Sequence, residues 1–86
     1  ELWYWRDSAG VEIDLVEKKG GSIYLWEAKA GKTVAADFFA NLDYVGRLAS
    51  IPPARRLLVY GGRGRQDRTN AAALGWKEAL AGASDR

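Results

Sequence analysis

The chain is predicted to fold as one α/β (α+β) domain, a mixed sheet laid down in the order β-β-β-α-β. Three observations predict it. Two runs rich in β-branched and aromatic residues, Val11 to Val16 and Tyr24 to Lys29, flank a Gly20-Gly21 break, the pattern of a hairpin with a two-residue primed turn. From Phe38 the apolar residues recur at spacings of three and four, the period of an amphipathic helix. Arg56-Leu57-Leu58-Val59-Tyr60 is then a short, continuously apolar run ending at Gly61-Gly62, as in a buried strand.

Leu2-Trp3-Tyr4-Trp5-Arg6 has strong β character, and Asp7-Ser8-Ala9-Gly10 is expected to turn the chain back into a strand over 11–18. Contiguous aromatics must point to both faces of a strand, so they are expected to supply core packing rather than to stack on a ligand. If Gly20 and Gly21 form the loop, Lys19 faces Ser22. The same register sets Asp14 opposite Glu27 and Glu12 opposite Lys29. All four side chains then share one face, with opposed Cβ atoms about 5 Å apart. Two carboxylates at that separation can share one divalent cation. The plainer alternative is a cross-strand ion pair of Glu12 with Lys29 on a solvated face, worth a few tenths of a kcal/mol. Against it, the same face turns apolar at Val16, Leu25 and Ile23, while Val11, Ile13 and Leu15 are expected to oppose Ala30, Ala28 and Trp26 on the other. A sheet apolar on both faces wants cover on both sides, which gathers the charges at its end.

The helix is expected from near Ala36 to Ser50, with Phe38, Phe39, Leu42, Val45 and Ala49 on its apolar side. Thr33 or Asp37 is its expected cap, and Ile51-Pro52-Pro53 ends it. Strand 23–29, this helix and strand 56–60 form a crossover unit, so the two strands should be parallel. Gly61 to Thr69 reads as a polar loop, Asn70 to about Trp76 as extended or turn, and 77–86 as a weakly ordered tail with a weak helical turn.

Composition narrows the chemistry. Among 86 residues there is no cysteine, histidine or methionine, so thiolate and imidazole chemistry are excluded. Catalysis would have to run on carboxylates, lysine, hydroxyls or a metal held by oxygen. The lack of methionine predicts a piece of a longer protein. No apolar run approaches the roughly 20 residues of a membrane span, so a soluble, cytoplasmic protein with no membrane partner is expected. Net charge is only +2, yet six arginines fall between 47 and 68: Arg47, Arg55, Arg56, Arg63, Arg65 and Arg68. That half could attract phosphate, or the arginines could simply serve solubility and helix ends. Gly61-Gly62-Arg63-Gly64-Arg65 lacks a lysine followed by Ser or Thr, which speaks against an ATP-binding loop.

The order of elements, with Asp14 on the second strand and Glu27-Ala28-Lys29 on the third, resembles the PD-(D/E)XK nuclease superfamily, a restriction-endonuclease-like fold. More narrowly, Tyr4-Trp5-Arg6-Asp7, Gly10-Val11-Glu12-Ile13-Asp14, Glu27-Ala28-Lys29-Ala30-Gly31 and Val59-Tyr60-Gly61-Gly62 resemble the C-terminal domain of a family of bacterial and archaeal AAA+ ATPases. The resemblance implies a single domain over 1–86, cut from such an ATPase, with the superfamily's first helix having no counterpart before Leu2. It implies Asp14 and Glu27 as metal ligands, with Lys29 as a catalytic residue that positions or activates water. Glu12 is a further possible ligand or the partner of Lys29, and Mg²⁺ or Mn²⁺ is the implied cofactor.

Two function classes follow. The first is a nucleic-acid-binding or nucleic-acid-processing module of an AAA+ ATPase, a metal-dependent phosphodiesterase if active, with DNA as partner and Arg63, Arg65 and Arg68 on its phosphates. The second is a non-catalytic interaction or oligomerisation domain on the same fold. In either, an uncovered apolar sheet face predicts a homodimer or other self-association.

Overall fold

The computed structural model describes residues 1–85 apart from 7 and 9, with side chains described as far as Ala81. Asp7 and Ala9, half of the first expected turn, lie outside the described residues. Six strands form one mixed sheet in the order β1-β2-β3-β4-β6-β5: β1 (Leu2–Arg6), β2 (Glu12–Lys19), β3 (Ser22–Lys29), β4 (Arg56–Tyr60), β5 (Arg65–Asp67) and β6 (Ala72–Gly75). Helix α1 (Ala40–Leu48) lies between β3 and β4 in sequence, and α2 (Trp76–Asp85) follows β6. The fold is thus α+β with a mixed sheet, two strands larger than the sequence pattern suggests. No helix among the described residues is long and apolar enough to cross a membrane.

The Gly20-Gly21 hairpin forms in the expected register, from Lys19↔Ser22 to Leu15↔Trp26. Both glycines have positive φ, 59° and 83°, which a primed turn requires and side chains resist. Strand β4 runs parallel to β3, with Leu25 beside Arg56 and Lys29 beside Tyr60, as a crossover through a helix demands. The crossover begins with a 3₁₀ turn, Ala36–Phe39, rather than α-helix. Neither Thr33 nor Asp37 caps it, because the chain enters through Ala35, which makes no side-chain capping bond. Its carbonyl instead accepts from the Phe38 N–H at 3.1 Å.

Helices lie against opposite faces. On the α1 side the core joins Phe39, Leu42 and Val45 to Val16, Leu25, Leu58 and Ala73 of the sheet. On the α2 side Leu57, Ala72 and Leu74 pack with Tyr24, Trp26 and Ala79. One expectation fails here: Ile13 belongs to the α1-side core, although its parity placed it on the other face. A bulge is the reason. Trp3 pairs with Val16 and Trp5 with Ile13, so Asp14 and Leu15 together stand opposite the single Tyr4. The extra residue returns Ile13 to the face of Val16.

Arg56 is also not a surface cation. It is 8% exposed, and its guanidinium donates to the Ile51 carbonyl at 2.8 Å, to the Asn70 carbonyl at 3.1 Å and to Asp43 at 3.3 Å. It braces the end of the crossover beneath Gly46, where a Cβ would collide with its side chain.

Candidate functional site

The bulge in β2 falls where the β2–β3 ladder stops. Beyond Leu15↔Trp26 the two strands no longer exchange ladder hydrogen bonds, and the side chains of the next pair take over. The Asp14 N–H donates to Glu27 Oε1 at 3.0 Å, and the Ala28 N–H donates to Asp14 Oδ2 at 2.9 Å. Each carboxylate therefore uses one oxygen to satisfy a backbone amide that the fork exposes. From α1, the Asn41 side chain donates to the Glu12 carbonyl at 3.1 Å and satisfies the opened edge of β2.

The two acids differ in surroundings. Glu27 is 4% exposed, lying on the α1 side of β3 beside Leu25, whereas Asp14 is open to solvent. Burial pushes the Glu27 carboxyl above its ordinary value, and the negative charge of Asp14 adds to the rise. The hydrogen bond from the Asp14 amide and the charge of Lys29 pull the other way without reversing it. Lys29 Nζ stands 3.9 Å from Glu27 Oε2, a loose pairing, and 5.7 Å from the centroid of the Phe38 ring. The ammonium is thus held near Glu27 while its side chain keeps 38% of its surface exposed.

Glu12 departs from the expected pairing. It does not face Lys29, because the bulge shifts its register against β1. It pairs with Arg6 instead, at 3.5 Å between Oε1 and Nε. Among the described residues no three carboxylates converge as a metal cage. What converges is one buried acid, one open acid and one lysine, on two strands that part.

The arginines disperse. Arg65, on β5, pairs with Asp67 at 2.8 Å. Arg68 donates to Gln66 at 2.7 Å and lies over the Phe39 ring at 5.6 Å. Arg55 and Arg56 are bonded to backbone carbonyls, and Arg47 pairs with Asp43 at 3.1 Å. Of the three arginines expected on phosphate, Arg63 lines a pocket at the ends of β4 and β6. Its other basic members, Lys32 and Lys77, carry no motif and were not legible as partners, since residues 32, 63 and 77 meet only once the parallel strands are aligned.

The domain is a mixed α+β fold whose sheet parts around a carboxylate pair, with a lysine two residues beyond the buried acid. The chain belongs to the family described as Domain of unknown function (DUF4143), whose model matches residues 1–78. No curated protein and no solved structure matches it.

Proposed function

We propose that this domain is a nucleic-acid-binding or nucleic-acid-processing module of the PD-(D/E)XK, restriction-endonuclease-like type, carried at the C-terminal end of an AAA+ ATPase. One observation carries the reading: Asp14 and Glu27 reach across the fork between β2 and β3, and Lys29 follows Glu27 by two residues. This is where a nuclease of that type would hold its metal.

The residues fit such an ion. The donor set is all oxygen, and Mg²⁺ is commonly held by one or two carboxylates together with water and substrate phosphate. Asp14 and Glu27 would hold the Mg²⁺ or Mn²⁺, Asp14 through the open side of the fork. When bound, the ion supplies a polarised phosphoryl oxygen and a water acidic enough to attack it in line. Burial raises the pKa of the Glu27 carboxyl, and a cation bound beside it would favour the ionised form. Lys29, loosely paired with Glu27 and partly exposed, would neutralise charge on the phosphate oxygens and position the attacking water. Arg63, Arg65 and Arg68 remain proposed phosphate contacts, away from the carboxylates.

Calorimetric titration with Mg²⁺ and Mn²⁺ tests the reading, with the Asp14→Asn variant alongside. Metal binding that the variant loses is the expected result. No binding by either protein would reduce Asp14, Glu27 and Lys29 to a structural cluster. A second reading, the non-catalytic interaction domain, is favoured by one observation. An apolar groove beside α1, lined by Trp3, Trp5, Ile23, Val45, Leu48 and Ile51, contains a buried Trp5 Nε1 with no hydrogen-bond partner among the described residues.

A further inference from the structure

At the carboxyl ends of the parallel strands, three chain segments meet around a second pocket. Lys32 follows β3, Gly61, Gly62 and Arg63 follow β4, and Trp76 and Lys77 open helix α2 after β6. Ligands of open α/β sheets gather outside this end of the strands. The segments are drawn together by backbone. The Gly61 N–H donates to the Gly31 carbonyl at 2.7 Å, and a Cβ on Gly61 would come within 2.8 Å of that same oxygen. The pocket holds about 510 Å³, enough for a nucleotide.

Its charge is lopsided. Lys32, Arg63 and Lys77 converge there, and among the described residues none of the three is in an ion pair. Lys77 stands in the first turn of α2, where the helix dipole favours an anion and opposes a cation. Glu78, whose Oε1 lies against Gly75, does not line the pocket. Beside the three cations lies a large, flat apolar surface, since Trp76 is 50% exposed and its ring lies 5.7 Å from Lys77 Nζ. Three cations ask for phosphate. An open indole beside them asks for a base that is not already stacked, which a duplex interior does not offer and a single strand does.

We propose that this pocket binds one nucleotide of a single-stranded nucleic acid, its phosphate among Lys32, Arg63 and Lys77 and its base on Trp76. The inference deepens the nucleic-acid reading above, on which it rests, by naming the form of the substrate. It also gives the strand a fixed point near the carboxylates, because Lys29 lies three residues before Lys32 and pairs with Tyr60, next to Gly61.

The test is anisotropy of a fluorescein-labelled ten-residue oligodeoxythymidylate titrated with the 86-residue chain in EDTA, so that no metal contributes. Competitors are a duplex of equal length, thymidine monophosphate and inorganic phosphate. The single strand is expected to bind about tenfold or more tighter than the duplex, since only it can offer the indole a base. Lys32→Gln and Lys77→Gln should each weaken it several-fold and lower the slope of log affinity against log salt by about 0.7. Trp76→Leu should weaken it about tenfold with the salt slope unchanged. Thermal melts of each variant confirm that it is folded. Unchanged affinity in all three folded variants overturns the pocket while leaving a nucleic-acid module intact. Equal competition by duplex, or by thymidine monophosphate or phosphate at the concentration of the oligonucleotide, overturns the single strand as occupant. No oligonucleotide binding at all overturns the inference outright, and the metal titration then judges the carboxylate site by itself.

Discussion

Glu27 is the member of the carboxylate pair that burial reaches, and its titration carries a stability consequence. Its pKa in the folded protein lies above the ordinary 4.5, so the folded state holds the proton more firmly than the unfolded one. The neutral form therefore favours folding at low pH. That contribution is lost as pH rises through the folded pKa, and above it the ionised, desolvated carboxylate is a cost. Glu27→Gln removes the cost while its side-chain oxygen still accepts from the Asp14 amide. The variant is expected to melt a few degrees above the parent near pH 7, with the gain vanishing as pH falls below 4.5. A gain equal at both pH values would mean that the charge of Glu27 is not its source. Lys29 invites the complementary experiment. If the module cleaves, Lys29→Ala is expected to slow cleavage by about a hundredfold or more with little change in nucleic-acid affinity, because its role is in the charged transition state. Undiminished cleavage would remove that role.

Among the elements, the β2 bulge does most to build the site. It rotates Ile13 into the α1-side core, turns Glu12 to Arg6 and coincides with the fork that Asp14 and Glu27 bridge. The crossover element has its own weak point at Gly46, under which Arg56 passes. Gly46→Ala is expected to destabilise the domain by about 1–3 kcal/mol, measured as a lower denaturation midpoint with unchanged slope, since the methyl must displace a side chain fixed by three hydrogen bonds. Wild-type stability would show that the brace yields freely. The hairpin and the crossover were legible in the sequence because paired glycines and a change of hydrophobic period are local signals. Strand β5 was not, and β6 was so only in part, as the extended or turn segment from Asn70 to about Trp76. Ala71 to Leu74 has the composition of a helix and becomes a strand only because β4 offers it an edge, with Leu57 beside Ala72. Arg56 was misplaced among the phosphate-attracting arginines for a similar reason, because its carbonyl partners lie five and fourteen residues away.

At the scale of the whole molecule, both faces of the sheet near β1 leave apolar surface open. Leu2 and Leu80 are about 60% exposed beside Trp26 and Val59, and Leu48 is 64% exposed beside Trp3. Open apolar patches of this kind drive association. Light scattering on the 9.5 kDa chain at tens of micromolar is expected to give a mass above the monomer, falling toward it in Leu48→Glu or Leu80→Glu. A monomer throughout would show that these faces stay solvated.

The sequence by itself determined the hairpin and its register, the helix after Gly31, the parallel return of strand 56–60 and the residue types available for chemistry. Those follow from the two-residue and 3.6-residue periods and from turn residues, which act between near neighbours. Only the tertiary structure decided that Asp14 and Glu27 bridge a fork while Glu12 turns away, since a bulge is a mismatch between two strands and neither strand records it alone. It also decided that Lys32, Arg63 and Lys77 share one pocket, because the ends of three parallel strands meet only when distant segments pair.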